Sequence, residues 1–313
     1  MWNKRLLGFF EAFLRWRKSF GKQSFRRSRN LLLRFGYDLR KTNLRNLVGI
    51  GSFFTEGPKV PKYAGPNSVA LVLLVVGHET LPLLKNFLRT LRRAGNNRQA
   101  IVYTVVSLRS KVEEVAVELS ADVRLIPGHV HSQVEEYSEY GSAQFNAITN
   151  LKWSCLIDAF RPDVDVAIFS DIDIAVIQDF ENFIISAAEL YPCGFQSEAR
   201  NTFPPQFCTG FMFFTRQAIP LLRFLDATSA ANVKNGNDQT VLNEVARSNP
   251  SLDKDVLSLP EAVFMNGMQF PAIAGPRHPD QVHTVEPLLF HANYVSGLDG
   301  KTRILKDLGL WEC

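Results

Sequence analysis

Cysteine is scarce: four residues in 313 (Cys155, Cys193, Cys208 and Cys313), without the paired spacing of a disulfide framework or the clustered spacing of a metal site. That excludes a disulfide-stapled fold and points to a reducing compartment, with Cys155 and Cys208 reading as core positions. No apolar run approaches the roughly 20 residues that a membrane-spanning helix needs. A cleavable leader fits poorly, because Glu11 breaks the short apolar stretch near the amino terminus and no small-residue cleavage site follows. No RNA- or DNA-binding motif is present, so nucleic acid is not expected as a partner. Internal repeats are also missing. The remaining composition is ordinary, 46% hydrophobic with 19 Gly and 16 Pro. It fits one α/β domain of about 250 residues with an appendage, or two smaller domains.

Charge is unevenly spread. Residues 1–46 hold 13 Lys/Arg against 2 Asp/Glu, or +11, while the whole chain is +4, so residues 47–313 sum to −7. Within this arm Trp2, Leu6, Phe9, Phe13, Trp16 and Phe20 recur in steps of four and three, which draws one apolar stripe along a helix. Lys4, Arg5, Arg15 and Lys18 lie off the stripe. Such a cationic, aromatic-faced helix suits an anionic membrane surface, and equally suits docking on the body or on a second subunit. Pro58, Pro61 and Pro66 mark a linker. The expected organisation is an arm and linker over residues 1–60 and one domain over 61–313.

From Ser68 onward strand and helix patterns alternate. Val69–Val76 reads as a buried strand ending at Gly77-His78. A helix is expected from Thr80 as N-cap to a stop at Gly95. Strands follow at Ala100–Val106 and Val123–Ile126, with a helix at Lys111–Leu119 between them. This order predicts an α/β fold with a mostly parallel central sheet covered by helices.

The strand after the next helix carries the chemistry. Val166–Phe169 is a run suited to a central strand buried on both faces, and it leads into Asp171 and Asp173. In an extended chain these two acids share one side, with Ile172 on the other. Two carboxylates at the end of a buried strand need compensation, and a divalent cation supplies it. Helix-capping or turn acids would give the same Asp-x-Asp spacing. Strand carboxyl ends in open α/β sheets are where ligands bind.

Further polar residues interrupt apolar patterns nearby. Lys152 falls within the stripe Phe145, Ile148, Cys155, Leu156 and Ala159, where a lysine requires a partner. Either a neighbouring acid or a ligand phosphate serves, and a helix leading into the acid-bearing strand favours phosphate. Asp238 and Gln239 open a helix, a position the helix dipole alone favours for an acid. His291, at a strand end, offers a neutral nitrogen ligand for a Mn-like ion. Gly297 and Gly300 would let the backbone approach a phosphate, with Lys301 adding charge.

Taken in order, Lys152, Ser170-Asp-Ile-Asp173, Cys208-Thr-Gly-Phe-Met212, Asp238-Gln239, Asn266-Gly267 and His291-x-Asn293-x-x-x-Gly297-x-x-x-Lys301 resemble the nucleotide-diphospho-sugar transferase family, GT-A-fold glycosyltransferases of the family 77 type. The likeness runs from about Val69 to Trp311 and leaves the basic arm outside. It implies a GT-A-like domain, a nucleotide-sugar donor of the UDP-sugar type, Mn²⁺ or Mg²⁺, and transfer with retention to a glycan, lipid-linked or protein acceptor. It further implies Asp171, Asp173 and His291 as metal ligands. Gly77, His78, Lys152, Asp171, Thr209, Gly210, Asn293, Gly297 and Lys301 would bind the donor, and Asp238 with Gln239 would face the reacting sugar. Family members with a Golgi anchor differ from this chain, which favours a cytoplasmic enzyme, with residues 1–46 at the inner face of the membrane.

Three rivals share some of these features. A haloacid-dehalogenase-type phosphatase would use Asp171 as nucleophile, but its motif opens the fold and continues into Thr or Val where this chain has Ala175. A sugar-nucleotide pyrophosphorylase would carry a glycine-rich basic loop after its first strand, in place of Val76-Gly77-His78-Glu79. A non-catalytic sugar- or nucleotide-binding module would leave Lys152, the two acids and His291 as separate coincidences.

Overall fold

The computed structural model describes residues 68–128, 138, 141–198, 206–232, 236–249, 252, 254–267, 287–295 and 297–313. The helical arm expected over residues 1–46 and its linker lie outside the described residues.

The core is a seven-stranded sheet in the order β3-β2-β1-β4-β7-β6-β8. Its strands are β1 (Val69–Val75), β2 (Ala100–Thr104), β3 (Asp122–Leu125), β4 (Val166–Ser170), β6 (Cys193–Ser197), β7 (Phe207–Thr215) and β8 (Val256–Leu259). Strands β3, β2, β1 and β4 run parallel, as do β6 and β8, while β7 is antiparallel to both neighbours. The expected mostly parallel sheet is therefore present. Buried runs such as VALVLLV in β1 and VAIFS in β4 suit this position, since both sheet faces are covered.

Alternation along the strands sorts side chains to two layers. Leu71, Leu73, Val102 and Ile168 meet α1 (Leu81–Arg93), α2 (Arg109–Glu118) and α4 (Glu181–Ala188). Val72, Tyr103, Phe169 and Phe214 meet α3 (Ala143–Ala159), α5 (Ile219–Asn232) and α6 (Asp238–Ser248) on the other face. A second, three-stranded sheet has the order β5-β10-β9, from β5 (Ile174–Val176), β9 (Phe264–Asn266) and β10 (Leu289–His291). It packs with Leu83 of α1 and Leu305 of α7 (Leu298–Asp307) through Ala175, Met265, Phe290 and Ala292.

Three local expectations change. Thr80 does not cap α1 with its side chain: a short 3-10 turn, His78–Thr80, precedes the helix, and Thr80 Oγ1 donates to Gly77 O at 2.7 Å. Asp171 and Asp173 are not in an extended strand but in the turn between β4 and β5. Long-range pairing shapes that turn, because Asp171 N–H donates to Gly210 O (2.6 Å) and Ala292 N–H donates to Asp173 O (3.0 Å). The expected stripe on α3 is buried at Lys152, Cys155, Leu156 and Ala159 but only half-buried at Phe145 and Ile148, while Asn146, Asn150, Leu151 and Trp153 are buried in addition. With α5 and the sheet enclosing this helix, a single stripe is not enough to cover the contact.

Candidate active site

Pairing of β1 with β4 sets Leu73 opposite Ser170, so Gly77, His78 and the Asp171–Asp173 turn all stand at one carboxyl edge of the sheet. Between the pairs Phe195–Met212 and Gln196–Cys208 the β6–β7 register shifts, and the bulge falls on Thr209, Gly210 and Phe211. A bulge bends its strand and leaves the extra residue out of the ladder, a device common next to active sites. Here Thr209 O lies 3.5 Å from Lys152 Nζ, and Gly210 O accepts from Asp171.

Strand β10 and the β4–β5 turn converge on one cluster. His291, the last residue of β10, places Nε2 3.2 Å from Asp173 Oδ1 and 3.9 Å from Asp171 Oδ2. Ligand atoms of Asp171, Asp173 and His291 all lie within 4.8 Å of one another. Two carboxylate oxygens and one imidazole nitrogen form a donor set suited to a Mn- or Mg-like ion. The residues present therefore fit a divalent metal. Packing against this cluster demands glycine at 210: a Cβ there would stand 2.7 Å from His291 Nδ1 and 3.0 Å from Asp171 Oδ2.

Each acid also has a cation. Lys152, reaching from buried α3, lies 2.9 Å from Asp171 Oδ1 and 3.0 Å from Asp238 Oδ2, and its ammonium sits over the Phe169 ring at 5.1 Å. The Asp238 contact is one of charge proximity more than of a directed hydrogen bond. Lys301 of α7 donates to Asp173 Oδ2 at 2.6 Å. Of the two partners weighed for Lys152, the neighbouring acids hold its charge in this structure.

Electrostatics separates the two acids. Burial pushes Asp173 up, but Lys301 and His291 outweigh it and hold the carboxyl well below the usual carboxylate range. Asp171 is raised, because burial and the neighbouring Asp173 charge prevail over Lys152. Its side chain nonetheless keeps 31% exposure, so it is the acid at the mouth of the cluster. Burial would lower Lys152, but Asp171 and Asp238 raise it above the ordinary lysine value. Asp173 and Lys152 are thus charged at neutral pH.

The other sequence-predicted residues arrange around this centre. Asp238 opens α6, with Asn237 Oδ1 capping the helix from Thr240 N at 2.8 Å, and reaches the cluster through Lys152. Gln239 beside it is half-buried and its carbonyl accepts from Asn243. Asn293 Oδ1 accepts from Gly267 N–H at 2.6 Å, while its Nδ2 faces Cys208 Sγ at 3.8 Å. Gly297, at φ +77°, is the N-cap of α7. His78 is exposed and pairs with Glu79 at 3.4 Å, at the sheet edge rather than inside the cluster. One close neighbour was not singled out from the sequence: Gln196 Oε1 lies 2.9 Å from His291 Nδ1. A polar residue within the buried β6 strand CGFQS was the available signal.

Comparison with known proteins places this arrangement. No curated protein sequence matches the chain. Among solved structures, galactosyltransferase LgtC in complex with donor and acceptor sugar analogs superposes with a TM-score of 0.51 at 13% identity, covering 78% of this chain and 96% of that one. The glycosyltransferase GlyE of Streptococcus pneumoniae TIGR4 gives 0.50 at 13% identity, covering 77% of this chain and 60% of that one. At such identity these structures establish the fold, which is GT-A. The model of the family described as nucleotide-diphospho-sugar transferase matches residues 103–305, a span that holds the acids, both lysines and His291. The chain belongs to the nucleotide-diphospho-sugar transferase family and is a glycosyltransferase.

Proposed function

We propose that the chain transfers a sugar from a UDP-sugar donor to a glycan, lipid-linked or protein acceptor, with retention of configuration. The observation that carries this reading is the meeting of Asp171, Asp173 and His291, flanked by Lys152 and Lys301, at the carboxyl edge of the sheet. A divalent ion, Mn²⁺ or Mg²⁺, held by those three residues would neutralise charge on a leaving diphosphate. Lys301 in the first turn of α7 and the backbone N–H groups at that helix start, opened by Gly297, suit a phosphate oxygen. Binding there would draw Lys301 from Asp173 toward the donor.

Asp171, half-exposed at the mouth, contacts the donor sugar or ribose in this reading, and Asp173 with His291 are the firmer ligands. Lys152 holds Asp171 and Asp238 in fixed relation while its positive charge favours the diphosphate. Preorganised charge of this kind, buried and already paired, needs no rearrangement as the leaving group departs. Asp238 and Gln239 face the reacting sugar, where Asp238 stabilises the oxocarbenium-like centre or receives the acceptor hydroxyl. Thr209, Gly210 and Asn293 close the donor side, and Gly77 and His78 border the nucleotide. The domain spans residues 61–313, and residues 1–60 form a separate basic arm and linker. We assign residues 1–46 to an anionic membrane surface, on the strength of the +11 charge and the aromatic stripe.

Thermal shift of the full chain with a panel of nucleotide sugars, with and without Mn²⁺, tests the reading. A UDP-sugar should raise the midpoint more in the presence of Mn²⁺ than without it. Equal shifts with and without the ion for every donor would refute it.

A further inference from the structure

Gln196 is wholly buried at the register shift between β6 and β7, and nothing in the transfer chemistry above uses it. Its amide has a defined orientation. Nε2 donates to Phe264 O at 3.1 Å and to Met265 O at 3.0 Å, both backbone acceptors of β9. An amide nitrogen facing two carbonyls leaves Oε1 on the other side, and Oε1 is the atom 2.9 Å from His291 Nδ1. Oε1 can only accept, so the ring proton belongs on Nδ1.

The opposite ring nitrogen faces a contrary demand. Nε2 is 3.2 Å from Asp173 Oδ1 and 3.9 Å from Asp171 Oδ2, and two carboxylates left to themselves would draw the single proton of a neutral imidazole to Nε2. That tautomer would occupy the nitrogen a cation needs. Cys208 Sγ, 3.8 Å from Nδ1, is too distant and too weak an acceptor to decide the matter. Gly210 N–H already donates to that sulfur at 3.4 Å. The rigid amide of Gln196 is the group placed to win the competition.

We propose that Gln196 is a positioning residue that fixes His291 as its Nδ1–H tautomer and so keeps Nε2 open to a divalent cation shared with Asp171 and Asp173. This rests on the metal reading of the cluster. Partners behind a metal-bound histidine commonly set ligand basicity and orientation in this way.

Two readouts on the full chain test it, neither of them turnover. The first is the ¹⁵N signature of His291 in metal-free, histidine-labelled protein, followed up a pH titration to the form in which the ring carries a single proton and assigned by comparison with His291→Gln. Wild type should show a protonated Nδ1 and a bare Nε2, and Gln196→Leu should shift the proton to Nε2. The second is Mn²⁺ affinity by electron paramagnetic resonance of the free ion. Gln196→Leu should bind about 10- to 100-fold more weakly than wild type. Gln196→Glu, which keeps an acceptor at Oε1 whether or not it is ionised, should retain the Nδ1–H signature and bind more tightly than Gln196→Leu. A wild-type Nε2–H signature overturns the proposal even if Gln196→Leu fails to fold, as does Gln196→Leu binding Mn²⁺ as tightly as wild type. A wild type that binds no Mn²⁺, or an Asp173→Ala variant that binds it equally well, refutes the metal reading itself, a different outcome from wild-type binding that survives Gln196→Leu.

Discussion

Gly210→Ala adds one methyl group to the most crowded point of the cluster. Its Cβ would lie 2.7 Å from His291 Nδ1 and 3.0 Å from Asp171 Oδ2, with His291 Cε1 nearer still. Ordinary contacts between such atoms are about 3.5–4.0 Å, so the imidazole must withdraw by roughly 1 Å. It has little room, because His291 is buried, ends a central strand of the small sheet, and is held from behind by Gln196. Overpacking of this kind costs about 1–3 kcal/mol. For a domain of this size that corresponds to a fall of roughly 2–12 °C in midpoint, read by differential scanning calorimetry. A displacement of about 1 Å also misplaces Nε2 relative to Asp173, which predicts a loss near 10²-fold in donor turnover. Gly194→Ala separates the two effects: its Cβ would meet Phe213, 3.0 Å from Cζ and closer to Cε1, inside the core and away from the acids. It should destabilise comparably while leaving Mn²⁺ affinity at the wild-type value. Gly210→Ala with wild-type midpoint and wild-type Mn²⁺ affinity would refute the packing derived for this centre.

Other perturbations follow the same contacts. Lys152→Met leaves Asp238, 2% exposed, and Asp171 without their shared cation, so urea unfolding should show a loss of about 3–5 kcal/mol. Adding Asp238→Asn should recover part of it, and an unchanged single variant would disprove the buried pairing. Asp173→Asn removes a carboxyl held low by Lys301 and His291. A depressed carboxyl stabilises above its unfolded pKa of about 3.9 and loses that stabilisation as pH falls through the lower folded value. The stability gap between wild type and variant should be full at neutral pH and narrow below pH about 4, and a gap that widens in acid contradicts the ion pairs. Burial pushes all four thiols up, but only Cys313 is exposed to reagent, while Cys155, Cys193 and Cys208 are buried. Ellman's reagent should therefore label one thiol quickly in native protein and four after unfolding; two fast thiols would contradict the packing. Deleting residues 1–46 should abolish sedimentation with anionic vesicles while Mn²⁺ binding persists, and unchanged sedimentation removes the membrane from the proposal.

Much of the fold was written in local pattern. The apolar runs of β1 and β4, the amphipathic α1 and the glycine stop at Gly95 each follow from residues within a few positions of one another. His291 at a strand end was legible for the same reason. What escaped depends on partners distant in sequence. Alternation in an extended chain brought Asp171 and Asp173 to one side, yet the acids converge because a turn is tied to Gly210 and Ala292, some 39 and 119 residues away. Lys152 reads as an anomaly on its helix, but Asp238, its second partner, comes from α6, 86 residues later. Gln196 meets His291 across 95 residues, and only the β6–β7 bulge and β9 orient its amide. Local periodicity carries none of these distances.

The most direct measurement is release of UDP from a UDP-sugar by the full chain, with and without Mn²⁺, in wild type and Asp173→Ala. Release that requires the ion and disappears in Asp173→Ala is the expected result. Metal-independent release that survives Asp173→Ala, or phosphate release from a phosphomonoester lost in Asp171→Asn, would contradict a transferase centre built on Asp171, Asp173 and His291.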